Sequence, residues 1–166
     1  GIRLFLKTMA TIRQYLRNLK QFRTTILDTQ RDFVLSQEKE IIKLNLTNID
    51  QHIGSDGGVL KSLNSKYTGF YSLSTELFAQ EQNPLAPKKA GEPYNFIWTG
   101  AFAGNFEVEI DSSLTKIRIY STGTGSGEKK DFFNDYTNLY GLPPKDQLWL
   151  RNEIMKALQK QARKYI

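Results

Sequence analysis

The chain contains no cysteine and a single histidine, His52. The first absence excludes disulfides, thiolate catalysis and cysteine-based zinc sites, and the second leaves no multi-histidine metal centre. Long apolar runs are missing too. None approaches the roughly 20 residues that cross a bilayer, so no membrane partner is expected. The opening GIRLFLKTMATIRQYL has a short apolar patch but neither a long hydrophobic region nor a small-residue cleavage site, so no secretory leader is expected. Acidic residues are absent from residues 1–27, which hold six basic side chains: Arg3, Lys7, Arg13, Arg17, Lys20 and Arg23.

What is present suits one domain of 166 residues carrying a helical arm. Ten Phe, eight Tyr and two Trp supply a core. The net charge of +6 is uneven: residues 143–166 come to +4, whereas residues 67–142 come to −3. Basic ends around a mildly acidic centre fit a nucleic-acid surface, complementarity to an acidic partner or a second copy, or simply solvated helix faces.

Apolar residues recur at helical spacing through Ile12, Leu16, Leu19, Phe22 and Ile26, then Phe33, Val34, Ile41 and Leu44. Arg13, Arg17 and Lys20 share one flank of that stripe. The adjacent threonines Thr24 and Thr25 and the capping-type Asp28 predict two helices broken near residues 24–28, the second running to about His52 and stopping at Gly54. Residues 1–53 thus form an N-terminal helical arm, and residues 54–166 an α+β core.

Residues 54–95 read as a long, mostly irregular loop. It opens on the Asp56-Gly57-Gly58 turn and carries a short helix over 74–80, capped by Ser72 or Ser74; Pro84, Pro87 and Pro93 then forbid regular structure. Phe106–Asp111 and Lys116–Tyr120 alternate as half-buried strands joined by a hairpin over 111–115, with Glu107 and Glu109 expected across from Lys116 and Arg118. Ser121–Gly127 is a flexible loop and 128–140 a short amphipathic helical piece. A final helix over 145–165 presents Leu148, Leu150, Ile154, Met155, Leu158, Ala162 and Tyr165 on its apolar face. On the other face Lys156, Lys160, Arg163 and Lys164 gather around Trp149, which either offers a binding surface or packs on the preceding loop. The expected fold class is α+β, with N-terminal helices and a long C-terminal helix on a small antiparallel sheet.

No constellation for catalysis emerges. Gly123-Thr124-Gly125-Ser126-Gly127 lacks the Gly-Lys-Ser/Thr ending of a phosphate loop, and His52 has no triad neighbours in sequence. Glu107, Glu109 and Asp111 read as a solvated strand face rather than an acid–base pair or cation site. Lys88-Lys89, set among prolines, reads equally as a phosphate or acidic-partner contact and as loop solvation. Trp98-Thr99-Gly100-Ala101-Phe102 reads as a structured approach to the first strand, Trp98 and Phe102 anchoring the turn.

The order Gly54-Ser55-Asp56-Gly57-Gly58-Val59-Leu60, Tyr71-Ser72-Leu73-Ser74-Thr75, Lys88/Lys89 and Trp98-Thr99-Gly100-Ala101-Phe102 resembles the tailed-phage virion morphogenesis and tail-completion proteins of the neck type. Asn138-Leu139-Tyr140-Gly141-Leu142-Pro143 is similar to the Phe-Gly-Leu ending of prophage proteins of this kind. The likeness covers roughly residues 40–166. Leu60 stands where an aromatic is frequent in that family, and Asn105 where a serine is. The resemblance implies a non-enzymatic structural component without a cofactor, found in the virion and, during assembly, in the host cytoplasm. Copies would form a homo-oligomeric ring at the head–tail junction or the tail end, against other connector or tail proteins, with DNA in the channel as a further contact. Candidate interface residues are Arg13, Arg17, Lys20, Lys88, Lys89, Trp98, Phe102, Trp149, Lys156, Lys160 and Arg163. The competing expectation is a nucleic-acid-binding accessory protein acting through its basic terminal helices.

Overall fold

The computed structural model describes residues 2–66, 68–111, 113 and 116–165, the first nine of these as backbone only. Among them the chain forms six helices and one two-stranded antiparallel sheet, an α+β fold. Two compact units emerge, one comprising residues 1–37 with 148–166 and the other residues 38–147. The expected boundary at residue 53 falls inside the second unit.

In the first unit, helix α1 runs unbroken over Ile2–Ser36. The predicted break at 24–28 is absent. Thr24 and Thr25 each turn a hydroxyl back onto the carbonyl three residues earlier, at 2.7 and 2.9 Å, so the β-branched pair stays helical. Asp28 pairs with Arg31 at 3.2 Å rather than capping anything. The break comes at Gln37, after which Glu38 and Glu40 occupy the first turn of α2 (Glu38–Asp50), where carboxylates suit the helix dipole. Of the apolar stripe, Leu19, Phe22, Ile26 and Phe33 are half-buried and Val34 is buried, whereas Ile12 and Leu16 are exposed. The ring of Phe22 lies 5.9 Å from that of Tyr165. Tyr165 follows the end of α6 (Pro144–Ala162), a helix three residues shorter at its C-terminus than the expected 165. Leu148 and Met155, expected on its apolar face, are exposed, while Leu150 is buried and Trp149 half-buried.

The second unit is built from α2, α3 (Leu73–Gln82), the single turn α4 (Ala101–Gly104), β1 (Phe106–Ile110), β2 (Ile117–Ser121), α5 (Glu128–Asn134) and the start of α6. Helix α2 ends before Gly54. His52 itself adopts the left-handed conformation, φ 59°, while Ile53 N–H reaches back to the Asn48 carbonyl at 2.8 Å and His52 N–H to Ile49 at 3.0 Å, a Schellman ending without glycine. Helix α2 packs on β1. In β1, Phe106 and Val108 are buried and Glu107 and Glu109 exposed, as the alternation requires. The register places Glu109 opposite Arg118 but Glu107 opposite Tyr120, not Lys116. The Tyr120 hydroxyl donates to Glu107 Oε2 at 2.9 Å, and this acceptor holds the phenol above its ordinary value. Ser112, Leu114 and Thr115 of the expected hairpin lie outside the described residues.

The segment from 54 to 98 is not a loose loop. Gly54 N–H bonds the Gly58 carbonyl, and the turn it closes wraps the buried side chain of Asn138. The Asn138 amide donates to Asp56 Oδ1 and to the Val59 carbonyl, each at 3.0 Å, and accepts from Lys61 N–H at 3.1 Å. A side chain at Gly54 would place its Cβ 2.1 Å from that amide nitrogen, so only glycine fits. Further on, Tyr71 and Gly69 exchange backbone hydrogen bonds with Gly91, Glu92 and Tyr94, closing the base of an ordered lobe over residues 72–90. Within it Ser72, not Ser74, caps α3 by accepting from Thr75 N–H at 3.2 Å. The Trp98–Phe102 segment enters β1 through α4, a helical turn the sequence did not announce. The following glycine-rich loop starts pinned: Ser121 Oγ donates to the Phe102 carbonyl at 2.7 Å, and a Cβ on Gly123 would lie 1.9 Å from the Ala101 carbonyl oxygen. Helix α5 stops at Asn134, short of the expected 140, because Tyr136 turns to bridge with Ser62.

No described helix is long and apolar enough to cross a membrane.

The Asp56 carboxyl is held below its usual value of 3.8, first by the Asn138 amide and then by Gly58 N–H. A depressed carboxylate stabilises the fold above its unfolded pKa and loses that contribution as pH falls through the lower folded value. Asn138→Ala is expected to return Asp56 toward the ordinary carboxylate range; a side-chain carbon NMR titration measures it.

Candidate functional site

Burial rather than sequence sorts the candidate interface residues. Phe102 is a core residue: α4 turns its ring onto Phe133 at 4.3 Å, stacked, and within 5.1 Å of Phe106. Trp149 is half-buried. Arg13, Arg17 and Lys20 are exposed on one flank of α1, and Lys156, Lys160 and Arg163 are exposed on α6, Lys156 pairing with Glu153 at 2.6 Å. Lys89 is exposed as well.

Lys88 is the main correction. It is only 6% exposed, so neither loop solvation nor a surface phosphate contact describes it. Its ammonium donates to Asn95 Oδ1 at 3.1 Å and to the Ile97 carbonyl, and sits 5.6 Å from the Tyr71 ring centre. Asn95 Oδ1 also accepts from the Tyr71 hydroxyl at 2.8 Å and Ile97 N–H at 3.1 Å. Among the described residues no carboxylate pairs with Lys88, and burial pushes its pKa below 10.5. The lysine is a clasp that holds the far side of the lobe to the chain at 95–97.

That clasp borders a cleft of about 410 Å³ lined chiefly by rings, among them Tyr71, Tyr94, Phe96, Trp98 and Phe132. Lys88 and Trp98, two of the separately named candidates, thus line one cleft. Trp98 is half-buried and stacks on Phe78 at 5.7 Å and 13°. Phe96 forms the cleft's inner wall, with a backbone φ of 57°.

Among polar residues on its outside, the lobe exposes several large apolar ones. Leu73 and Leu77, one turn apart on α3, are exposed, and so is Phe78. Leu85, between Pro84 and Pro87, is 96% exposed. Only Ala79 of α3 is buried, while Glu76 Oε2 fastens the helix to Ala90 N–H at 2.7 Å. The lobe is hydrogen-bonded, capped and clasped, and it nevertheless turns four large apolar side chains outward. Sequence reasoning missed these residues. The available signals were a helix apolar on more than one side (Leu77, Phe78, Ala79) and a leucine held between prolines, where hydrophobic periodicity gives no face.

No protein-family model, no curated protein and no solved structure matches this chain.

Lys88→Met keeps the apolar stem but orphans the Ile97 carbonyl and weakens the Asn95 network. A loss of about 1–3 kcal/mol is expected, readable by chemical unfolding, together with a shift in Trp98 fluorescence as the cleft wall loosens.

Proposed function

We propose that the chain is a non-enzymatic structural component of tailed-phage particle assembly, forming a ring of copies at the head–tail junction or at the tail end. The observation that carries the reading is the ordered lobe over 72–90 with Leu73, Leu77, Phe78 and Leu85 turned outward. Exposed apolar side chains on a braced lobe suit the core of a subunit contact. The motif order adds support, because each short motif does structural work at a joint. Asp56 belongs to the Asn138 clasp, Ser72 caps α3, Lys88 ties the lobe down, and Gly100, at φ 80°, opens α4. The chain would reside in the virion and, during assembly, in the host cytoplasm.

Quantitative mass spectrometry of the particles that carry this chain is expected to find it at a low, fixed copy number beside portal and tail proteins. The double variant Leu73→Asp, Leu77→Asp should keep the wild-type circular dichroism and be lost from particles. Complete particles built with that variant would sink the reading.

A second reading rests on Arg13, Arg17 and Lys20, exposed along one flank of α1, in a chain whose first 27 residues hold no acid. It makes the chain a nucleic-acid binder. Under it, log Kd for duplex DNA changes linearly with log salt with a slope reflecting several phosphates, and Arg13→Glu with Arg17→Glu flattens that slope. The assembly reading expects DNA binding weak at physiological salt and indifferent to these changes.

A further inference from the structure

The sheet has two strands, so each strand is also an edge. Asp111 N–H donates to the Lys116 carbonyl and Thr122 N–H to the Asn105 carbonyl. With the observed register, the ladder bonds therefore fall on the pairs Glu107–Tyr120 and Glu109–Arg118. The backbone groups of Phe106, Val108 and Ile110 on β1, and of Ile117 and Ile119 on β2, point away from the ladder. Among the described residues no backbone hydrogen bond reaches them from elsewhere in the chain. Strands whose outer backbone groups have no backbone partner in the chain are a template for strand addition.

The charges on the solvated face decide what is added. β1 carries Glu107 and Glu109, both exposed; β2 carries Arg118, with Lys116 just before it, both exposed. On that face β1 carries two carboxylates, whereas β2 carries Arg118 beside Tyr120, with Lys116 just before the strand. Pairing β1 with β1, or β2 with β2, would bring like charges opposite each other, which is unfavourable on a strand pair. Pairing β1 of one copy with β2 of the next repeats the Glu109–Arg118 arrangement already present inside each copy. A contact that joins two different edges is head-to-tail and generates a ring when its rotation closes.

We infer that copies of this chain associate by antiparallel pairing of the β1 edge of one copy with the β2 edge of the next, the acidic and basic strands selecting head-to-tail over face-to-face pairing. This deepens the assembly reading and rests on it. The two-stranded sheet then becomes one segment of a continuous sheet, and the lobe over 72–90 remains available to cover the neighbouring copy or another component.

The test uses two double variants of the full chain. Glu107→Lys with Glu109→Lys makes both strands basic, and Lys116→Glu with Arg118→Glu makes both acidic. Sedimentation velocity and native mass spectrometry of the wild type at rising concentration should show oligomers. Each variant alone should lose them, and an equimolar mixture should recover them, because alternating copies restore every complementary edge. Circular dichroism reports whether each variant folds. Should either fail to fold, the cysteine-free background supplies a second measurement: Glu109→Cys mixed with Arg118→Cys, directly opposite in the proposed pairing, should give under a mild oxidant crossed disulfide dimers at least tenfold over self-linked ones. Variants that each assemble like the wild type, a mixture of folded variants that stays monomeric, or crossed dimers no commoner than self-linked ones would overturn the edge pairing. So would a wild type monomeric at every concentration. None of these outcomes touches the abundance of the chain in particles, on which the assembly reading stands or falls separately.

Discussion

The second unit depends on the placement of one ring. Phe96 sits in the left-handed backbone region at φ 57°, a conformation that costs a bulky L-residue about 1–2 kcal/mol. Five rings surround it: Tyr136 at 5.0 Å, Phe132 at 5.8 Å, Phe102 at 6.1 Å, Phe133 at 6.2 Å and Tyr94 at 6.4 Å. Aromatic pairs contribute roughly 0.5–1.5 kcal/mol each beyond their buried area, so the cluster outweighs the backbone strain. Its members come from the end of the long excursion, from α4, from α5 and from the chain after α5. Through Phe96 an excursion rich in proline and polar residues is tied to the same core that carries the sheet.

Once that ring is seated, polar clasps finish the work. Lys88 and Asn95 fix the chain on either side of the lobe, Ser72 caps its helix, and Asn138 gathers the opening turn. Lys88 and Asn138 are buried, where polar groups are costly unless bonded, and both have their partners. A lobe held so firmly can show apolar side chains outward without collapsing onto itself. Rigidity lowers the ordering cost of any contact the lobe makes, which connects the local hydrogen bonding to the proposed role in assembly.

The sequence reading succeeded where chemistry is local. The β1–β2 hairpin, the capped α3, the helix starting at the Pro-Pro pair and the turn at Asp56 were all legible, because alternation, capping residues and proline act over a few positions. It failed where a local preference met a tertiary one. Thr24 and Thr25 suggested a break, but their hydroxyls found carbonyls within the helix. Gly54 suggested a helix end, but its lack of a side chain serves the Asn138 amide instead, and His52 takes the left-handed position. Lys88 read equally as a surface contact and as a solvated loop cation, since nothing in Pro87-Lys88-Lys89-Ala90 reveals that Asn95 and the Ile97 carbonyl accept its hydrogen bonds.

The α+β class, the basic ends, the absence of thiol chemistry and the opposite charges of the two strands follow from the amino-acid sequence by itself, because composition and short-period patterning need no distant partner. Which aromatic residues are core and which are surface was decided only in three dimensions. Phe102 and Trp98 stand four positions apart in one motif, yet one is sealed against Phe133 and the other lines a cleft. The exposure of Leu73, Leu77 and Leu85 is likewise a tertiary result. It depends on where the lobe closes upon itself, and that closure is made by hydrogen bonds between residues some twenty positions apart, such as Tyr71 N–H to the Glu92 carbonyl at 2.9 Å.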